Sequence, residues 1–354
     1  ILRCLVGSEM CIRDRFYIGR GAFMGILKRI TALAIGAAIM CTAVNTVFAE
    51  NNNRGDTVNI KIDGSKANTS ENFLYRGQGM ISCNGSSRLL LDYKEKNPES
   101  YDKILEHLYG KNGLKFTHFK VEMGADVNTS SGTEPATMRY EDEKADVTRG
   151  AGFQLAADIK KINPDVTLDM LWWSEPKWVS DSSDVYAARY KWYKQTLDAA
   201  YETYGLVFDY VSANQNERAV DTDWIIYLSK ALKSEKDCPY DYSEIKIVAA
   251  DECGTWGISR LMMKNKELCD AVDVIGSHYT SFADDTTKKL AEEYGKELWF
   301  SEGSSPMTYA QSAYRFDEGN SGLTGLNGVL DIANRMITMV SGGYMTLYEY
   351  QPAV

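Results

Sequence analysis

An eightfold alternation constrains this chain more than any other feature. Short β-rich runs at 73–80, 116–123, 166–172, 207–213, 245–250, 272–277, 298–301 and 344–350 are separated by turn-rich loops and by stretches of helical period. The helical stretches 101–109, 153–162, 185–204, 223–232 and 327–340 gather apolar residues on one side; in the first, Ile104, Leu105 and Leu108 share a face. Lys246-Ile-Val-Ala-Ala250 and Ala271-Val-Asp-Val-Ile-Gly276 are apolar at nearly every position, as strands covered on both faces must be. No dinucleotide-type glycine fingerprint accompanies the alternation. The expected class is α/β, a (β/α)8 TIM barrel, with its chemistry on the loops that follow the strands.

The segments ahead of the barrel read differently. Residues 1–23 lack an initiator Met and any structural period, resemble translated adaptor sequence, and are expected to be non-native. Residues 24–49 begin at Met24, carry Lys28 and Arg29, then an apolar run over 30–41 and Val47-Phe-Ala49. That is the plan of a secretory signal, with cleavage expected after Ala49. Its apolar run is shorter than the ~20 residues of a membrane span, so secretion without stable membrane insertion is expected. Within 50–70, Val58, Ile60 and Ile62 alternate onto one face before an Asp63-Gly64 turn, the pattern of an N-terminal strand in a separate β-sandwich. The barrel is assigned to 71–354. No eighth helix follows the last strand run before Pro352-Ala-Val354, so a barrel truncated after strand eight is expected.

Charge narrows the partners. Of 39 basic and 49 acidic residues, six and two respectively lie in 1–49, which leaves a net charge of −14 on the remainder. Such a surface repels phosphate backbones and anionic headgroups, so nucleic acid is excluded as a partner and a neutral substrate is favoured. Cys83, Cys238, Cys253 and Cys269 form no C-x-x-C pair and are read as small buried hydrophobes. His107, His118 and His278 stand at no metal-ligand spacing, so no metal and no cofactor are expected.

Two carboxyls carry the chemistry. Glu217, in Ser212-Ala-Asn-Gln-Asn216-Glu217-Arg218, and Glu302, in Leu298-Trp-Phe-Ser-Glu302-Gly, end the fourth and seventh runs. Those strands lie on opposite sides of an eight-stranded barrel, so their terminal side chains can face each other across a sugar. Cleaving an acetal needs an acid for the leaving oxygen and a carboxylate for the developing oxocarbenium ion, and retaining enzymes hold the pair ~5–5.5 Å apart. An acid that starts protonated should titrate above its partner, which places Glu217 above Glu302. Asn216 beside Glu217 can hold a sugar 2-hydroxyl. Trp173 and Tyr279 are read as sugar-facing aromatics, Trp172 and Trp178 as packing. Asp126 and Asp251 are read as contacts either to substrate or to loop backbone, and Arg88 as a partner for a carboxylate or a surface arginine.

Six segments then resemble one family: Val121-Glu-Met-Gly-Ala-Asp126, Ser131-Gly-Thr-Glu-Pro135, Trp173-Ser-Glu-Pro-Lys-Trp178, Asn216-Glu217-Arg218, Val274-Ile-Gly-Ser-His-Tyr279 and Leu298-Trp-Phe-Ser-Glu302. In order and spacing they are similar to the galactocerebrosidases, family 59 of the glycoside hydrolases. The resemblance implies a retaining β-galactosidase acting on galactosylceramide and related lipids, with Glu217 as acid/base and Glu302 as nucleophile. It implies galactose-contacting roles for Thr133, Trp173 and Asn216, together with a β-sandwich and a lectin-like domain. Gln215 departs from the tryptophan usual before the Asn-Glu pair, and Glu175, Lys177 and Gly303-Ser304 depart nearby, all toward the aglycone side. The same machinery on a β-glucoside, β-xyloside or galactan, and a non-catalytic galactoside-binding barrel, remain the alternatives.

Overall fold

The computed structural model of the protein describes residues 61, 63–82, 84–129, 132–303 and 326–350. The segment expected to be non-native, the expected signal, most of the expected sandwich strand, and Cys83 lie outside the described residues. Up to Ala67 the described chain forms a unit of its own, with one 3-10 turn, Gly64–Lys66, opened by Asp63 accepting from the Ser65 amide at 3.1 Å. The expected turn at Asp63-Gly64 is therefore present.

From Asn68 onward the chain is one barrel. Its strands are β1 (Gly77–Ser82), β2 (His118–Glu122), β3 (Thr167–Leu171), β4 (Tyr210–Ser212), β5 (Lys246–Cys253), β6 (Val274–His278), β7 (Glu297–Gly303) and β8 (Met345–Tyr350). They form one sheet in the order β3-β2-β1-β8-β7-β6-β5-β4, parallel at every ladder. The two ends of that order meet. The Asp209 amide donates to the Leu168 carbonyl at 3.1 Å, Asp209 Oδ2 accepts from the Leu168 amide at 2.9 Å, and the Asn216 amide donates to the Trp172 carbonyl at 3.0 Å. All eight expected strands occur. The first starts later than expected, because residues 71–73 take a 3-10 turn (Glu71–Phe73) before the sheet begins.

Helices lie outside. The expected helix over 185–204 is α5, Val185–Tyr204, where α1–α4 are Asn84–Lys96, Pro98–Tyr109, Ala151–Ile162 and Lys177–Ser180. Asp184 caps α5 by accepting from the Ala187 amide, and Gly205 ends it in the left-handed region at φ 71°, where a side chain would be strained. Helix α6 (Thr222–Ser234) starts on Asp221 in the same way. The remaining helices are α7 (Gly257–Met262), α8 (Lys266–Ala271), α9 (Asp285–Tyr294) and α10 (Leu326–Ser341). Cys269 of α8 is buried among apolar neighbours, as expected.

The interior is layered. At the base, Tyr210, Val248, Val274, Trp299 and Leu347 form a small apolar cluster, with His118 edge-on to Trp299 and Tyr210 at 5.0 and 5.8 Å. Above this cluster the interior is charged, with Lys120 from β2, Asp169 from β3, Asp251 from β5 and Glu349 from β8, all fully buried. Gly276 leaves them room, since a Cβ there would stand 2.6 Å from Ser301 Oγ and 2.9 Å from Asp251 Oδ1. Above them stand the residues of the site.

Candidate active site

Glu217 and Glu302 meet at the mouth of the barrel through one imidazole. His278 Nδ1, at the end of β6, lies 3.0 Å from Glu217 Oε1 and 3.5 Å from Glu302 Oε2. Oxygens of the two carboxyls stand within 4.8 Å of each other. Glu302 is 1% exposed and accepts from the Tyr279 hydroxyl at 2.6 Å; the Glu217 side chain is 30% exposed and reaches toward solvent. One carboxyl is thus walled in and fixed, and the other is accessible.

Backbone geometry aims these side chains. Asp126, Glu217, Asp251 and Tyr279, just past or at the ends of β2, β4, β5 and β6, all adopt φ between 52° and 57°. Non-glycine residues rarely hold that conformation, which costs ~1–3 kcal/mol apiece and collects at functional sites. Here the turned backbone is tied across strands: the Glu217 amide donates to the Asp251 carbonyl at 3.2 Å, and the Tyr279 amide to the Glu302 carbonyl at 3.0 Å.

Electrostatics follow from burial and these neighbours. Burial opposes a charge on His278, but Glu302, Asp251 and Glu217 outweigh it and lift the imidazole to about 10. Burial pushes the Glu302 carboxyl up, against the pull of His278 and Tyr279. The cause is position, because Glu302 is enclosed at the end of β7. Asp251 is held well below the usual carboxylate range: burial opposes its charge, yet Lys120 and His278 both stabilise it.

The other expected residues sort into two groups. Asn216 is brought to the site with its Oδ1 buried and without a hydrogen-bond partner. Tyr279 is brought there too, but its hydroxyl binds Glu302 and it serves the carboxyl directly. Trp173 is buried against Ile81 and Leu171 at the end of β3, and its carbonyl accepts from Gln215 Nε2 at 2.7 Å. Gln215, the departure from the family's tryptophan, thereby ties the β4 loop to β3. Thr133 lies on an exposed hairpin (Asn128–Thr129 with Gly132–Thr133) and bonds Asn128 within it. Trp172 packs edge-on against Trp192 and lies under the Arg189 guanidinium, and Trp178 donates to the Met138 carbonyl, so both pack as expected. Asp126 belongs to its loop, paired with Arg139 and the Ala136 amide. Arg88 lies on the surface beside Asp92.

His278 and Asp251 are the residues whose roles sequence reasoning missed. His278 was visible only as half of a His-Tyr strand end. A usable signal existed one layer down. Lys120, Asp169 and Glu349 are flanked in their strands by Phe119 and Val121, Leu168 and Met170, and Tyr348 and Tyr350, and buried charges must find one another.

Among the described residues, two clusters have the donors for a metal ion: His118, Asp169 and Glu349, and Glu217, His278 and Glu302. The first already encloses a cation, because Lys120 Nζ lies 3.2–3.5 Å from Asp169, Asp251 and Glu349. The second would engage both carboxyls that acetal cleavage needs free.

A family-wide comparison matches residues 75–347 to glycosyl hydrolase family 59. The chain belongs to that family. Over 241 residues it is 35% identical to the galactocerebrosidases of Macaca mulatta and Homo sapiens, covering 66% of this chain and 33% of each relative. The zebrafish (Danio rerio) galactocerebrosidase is 34% identical over 242 residues, 65% of this chain and 34% of that protein. The chain thus spans about a third of the length of these relatives. Among solved structures, SrfJ from Salmonella typhimurium superimposes with a TM-score of 0.61 at 16% identity, covering 86% of this chain and 73% of that one. The catalytic domain of GH30 xylanase C from Talaromyces cellulolyticus gives 0.56 at 14% identity, covering 79% and 68%. These two likenesses establish the barrel fold. The family 59 match runs from before β1 into β8, and both Glu217 and Glu302 fall within the matched residues.

Proposed function

We propose that this protein is a secreted retaining β-galactosidase that hydrolyses the galactosyl bond of galactosylceramide or a related galactoside. One observation carries the mechanism: a solvent-reaching carboxyl and an enclosed one, their oxygens within 4.8 Å, across one imidazole. That spacing suits direct attack by a carboxylate and is too close for the ~6.5–9.5 Å of inverting pairs, which must admit a water between them. The family's galactocerebrosidases supply the sugar and the lipid.

In this reading Glu217, protonated, gives its proton to the glycosidic oxygen as the bond to the anomeric carbon breaks. Glu302 attacks that carbon and forms a galactosyl ester. Glu217, now a carboxylate, takes a proton from water, whose oxygen displaces Glu302 and releases galactose. Tyr279 steadies the Glu302 carboxylate before attack. Asn216 Oδ1 is the acceptor for a sugar hydroxyl. Among the described residues no helix is long and apolar enough to cross a membrane, and export rests on the signal pattern over 24–49.

The test is treatment with 2-deoxy-2-fluoro-β-galactosyl fluoride, with the gluco isomer alongside, followed by intact mass and peptide mapping. The fluorine slows breakdown of the ester, so an adduct on Glu302 from the galacto reagent alone is expected. No adduct on folded full-length protein would overturn the reading. N-terminal sequencing of the exported form should begin at Glu50.

A further inference from the structure

Beneath the carboxyl pair runs a line of buried charges that alternate in sign. Lys120 of β2 sits in the middle of the barrel, fully buried, with Nζ 3.3 Å from Asp251 Oδ1, 3.2 Å from Glu349, 3.5 Å from Asp169 and 3.1 Å from the Ser301 carbonyl. Asp251 Oδ1 is shared: it also lies 3.3 Å from His278 Nε2. His278 turns its other nitrogen to Glu217 and Glu302. Four strands and the loop after β4 contribute to this line, and every member beneath Glu217 is enclosed.

We propose that Lys120 and Asp251 are positioning residues that hold His278 as a fixed imidazolium between the two carboxyls. This rests on the galactosidase reading above. Asp251 faces a nitrogen of His278 and, as a carboxylate, can only accept, so Nε2 must carry a proton. Nδ1 then faces two further carboxyls, and a proton there lets it donate to Glu217 and attract Glu302 at once. With Glu217 protonated as the acid, a neutral imidazole would leave the enclosed Glu302 carboxylate without a cation beside it, and burial would then favour its neutral form. Attack on the anomeric carbon needs Glu302 ionised in a site where burial favours its neutral form. The imidazolium supplies the opposing charge, Asp251 keeps it charged and oriented, and Lys120 keeps Asp251 ionised.

The surroundings fit this assignment. The groups facing His278 are Glu217, Asp251 and Glu302, with Tyr279 next to it in sequence and Lys120 behind Asp251. Glu349 and Asp169, the other carboxyls around Lys120, are pushed upward by burial, while Asp251, between two cations, is the one held down. His118, on the far side of Glu349 at 3.3 Å, is pushed well below its ordinary range by burial and by Lys120, so it adds no competing cation. Ser212 donates at 2.8 Å to Asp169 Oδ2, the same oxygen that faces Lys120 at 3.5 Å. Asp251 thus reaches His278 with its charge intact.

The experiment compares wild type, Asp251→Asn, and the charge-balanced double variant Lys120→Met/Asp251→Asn, each as full-length protein with a cooperative melt. The readout is the pH dependence of the rate of labelling by 2-deoxy-2-fluoro-β-galactosyl fluoride. Loss of a facing cation raises a carboxyl by roughly one to three units. The acidic limb, which reports Glu302 ionisation, should therefore move up by at least about one pH unit in both variants. A merely structural role would lower the rate at every pH and leave the limb in place; that result overturns the proposal. If wild type itself forms no adduct, the galactosidase reading fails first, and the two failures remain distinct.

Discussion

Tyr279, just past β6, sets its hydroxyl 2.6 Å from Oε1 of Glu302 on β7, so the enclosed carboxyl is held by a donor from the neighbouring strand. Burial and the adjoining Glu302 keep that phenol protonated well beyond neutral pH. Hydrogen bonds to charged groups contribute ~1.5–3 kcal/mol. Tyr279→Phe should lower kcat/KM roughly ten- to hundredfold and shift the acidic limb upward, because the carboxylate form of Glu302 loses a donor. Steady-state kinetics across pH check this; a uniform loss with an unmoved limb would assign Tyr279 to sugar packing instead.

Glu217→Ala removes the proton donor without touching the nucleophile. General acid–base groups contribute ~10²–10⁴-fold, so hydrolysis of a galactoside with a poor leaving group should fall by about that factor. A galactoside of an acidic phenol, which leaves without help, should lose far less in its first step. Equal losses on both substrates would count against an acid role for Glu217.

Both carboxyls were legible from sequence because each is a chain-local feature, a Glu closing a short β-run, and barrel geometry supplies the rest. Strand identity was equally legible, since runs such as 247–250 of β5 and 274–276 of β6 are buried and apolar at every position. What escaped was whatever depends on several strands converging. His278 acquires its role from Glu217, Asp251 and Glu302, which lie 24–61 residues away in the chain. Asp251 looked like a loop carboxylate and is completely buried. Helix α9 was not expected because its stretch, DTTKKLAEEY, offers only a narrow buried face of Thr287, Leu290 and Ala291.

Lys120→Met should destabilise the fold by ~3–5 kcal/mol, because it leaves buried carboxylates without their cation. Adding Asp251→Asn should recover part of that loss, since one of the stranded charges goes with it. Denaturant titrations of the two variants give the comparison directly. Additive losses would mean that Lys120 and Asp251 do not act on each other, against their 3.3 Å separation.

Glu134, next to Thr133, ties the hairpin loop to helix α3: its Oε1 accepts from the Ala151 amide at 3.1 Å, at the helix start. Burial pushes its carboxyl up to about 7, with that amide pulling the other way. A folded-state pKa above the unfolded value of about 4.3 means that the folded protein binds the proton more tightly. The stabilisation is complete below about 4.3 and is lost as pH rises through about 7, a change on the order of 3 kcal/mol at most. Glu134→Gln has no proton to lose. Its stability relative to wild type should therefore improve between pH 5 and pH 8; a constant difference across that window would remove Glu134 from the pH response.

Asn216 offers the sharpest test of how the site holds sugar. Its Oδ1 is buried beside Glu217 and unpartnered, a state that costs ~1–3 kcal/mol in the free protein. That cost is recovered only when a ligand donates to it. Asn216→Ala should consequently leave thermal stability unchanged or slightly higher, while kcat/KM on a galactoside falls roughly ten- to hundredfold. The hydroxyl concerned is identified by pairing the variant with substrate analogues. If the partner is the sugar 2-hydroxyl, wild type and Asn216→Ala should process a 2-deoxygalactoside at nearly the same rate, because each lacks one half of the same hydrogen bond. If the variant is still slower on that analogue by its full factor, Oδ1 binds another part of the substrate. The buried acceptor then helps to decide which substrate is chosen.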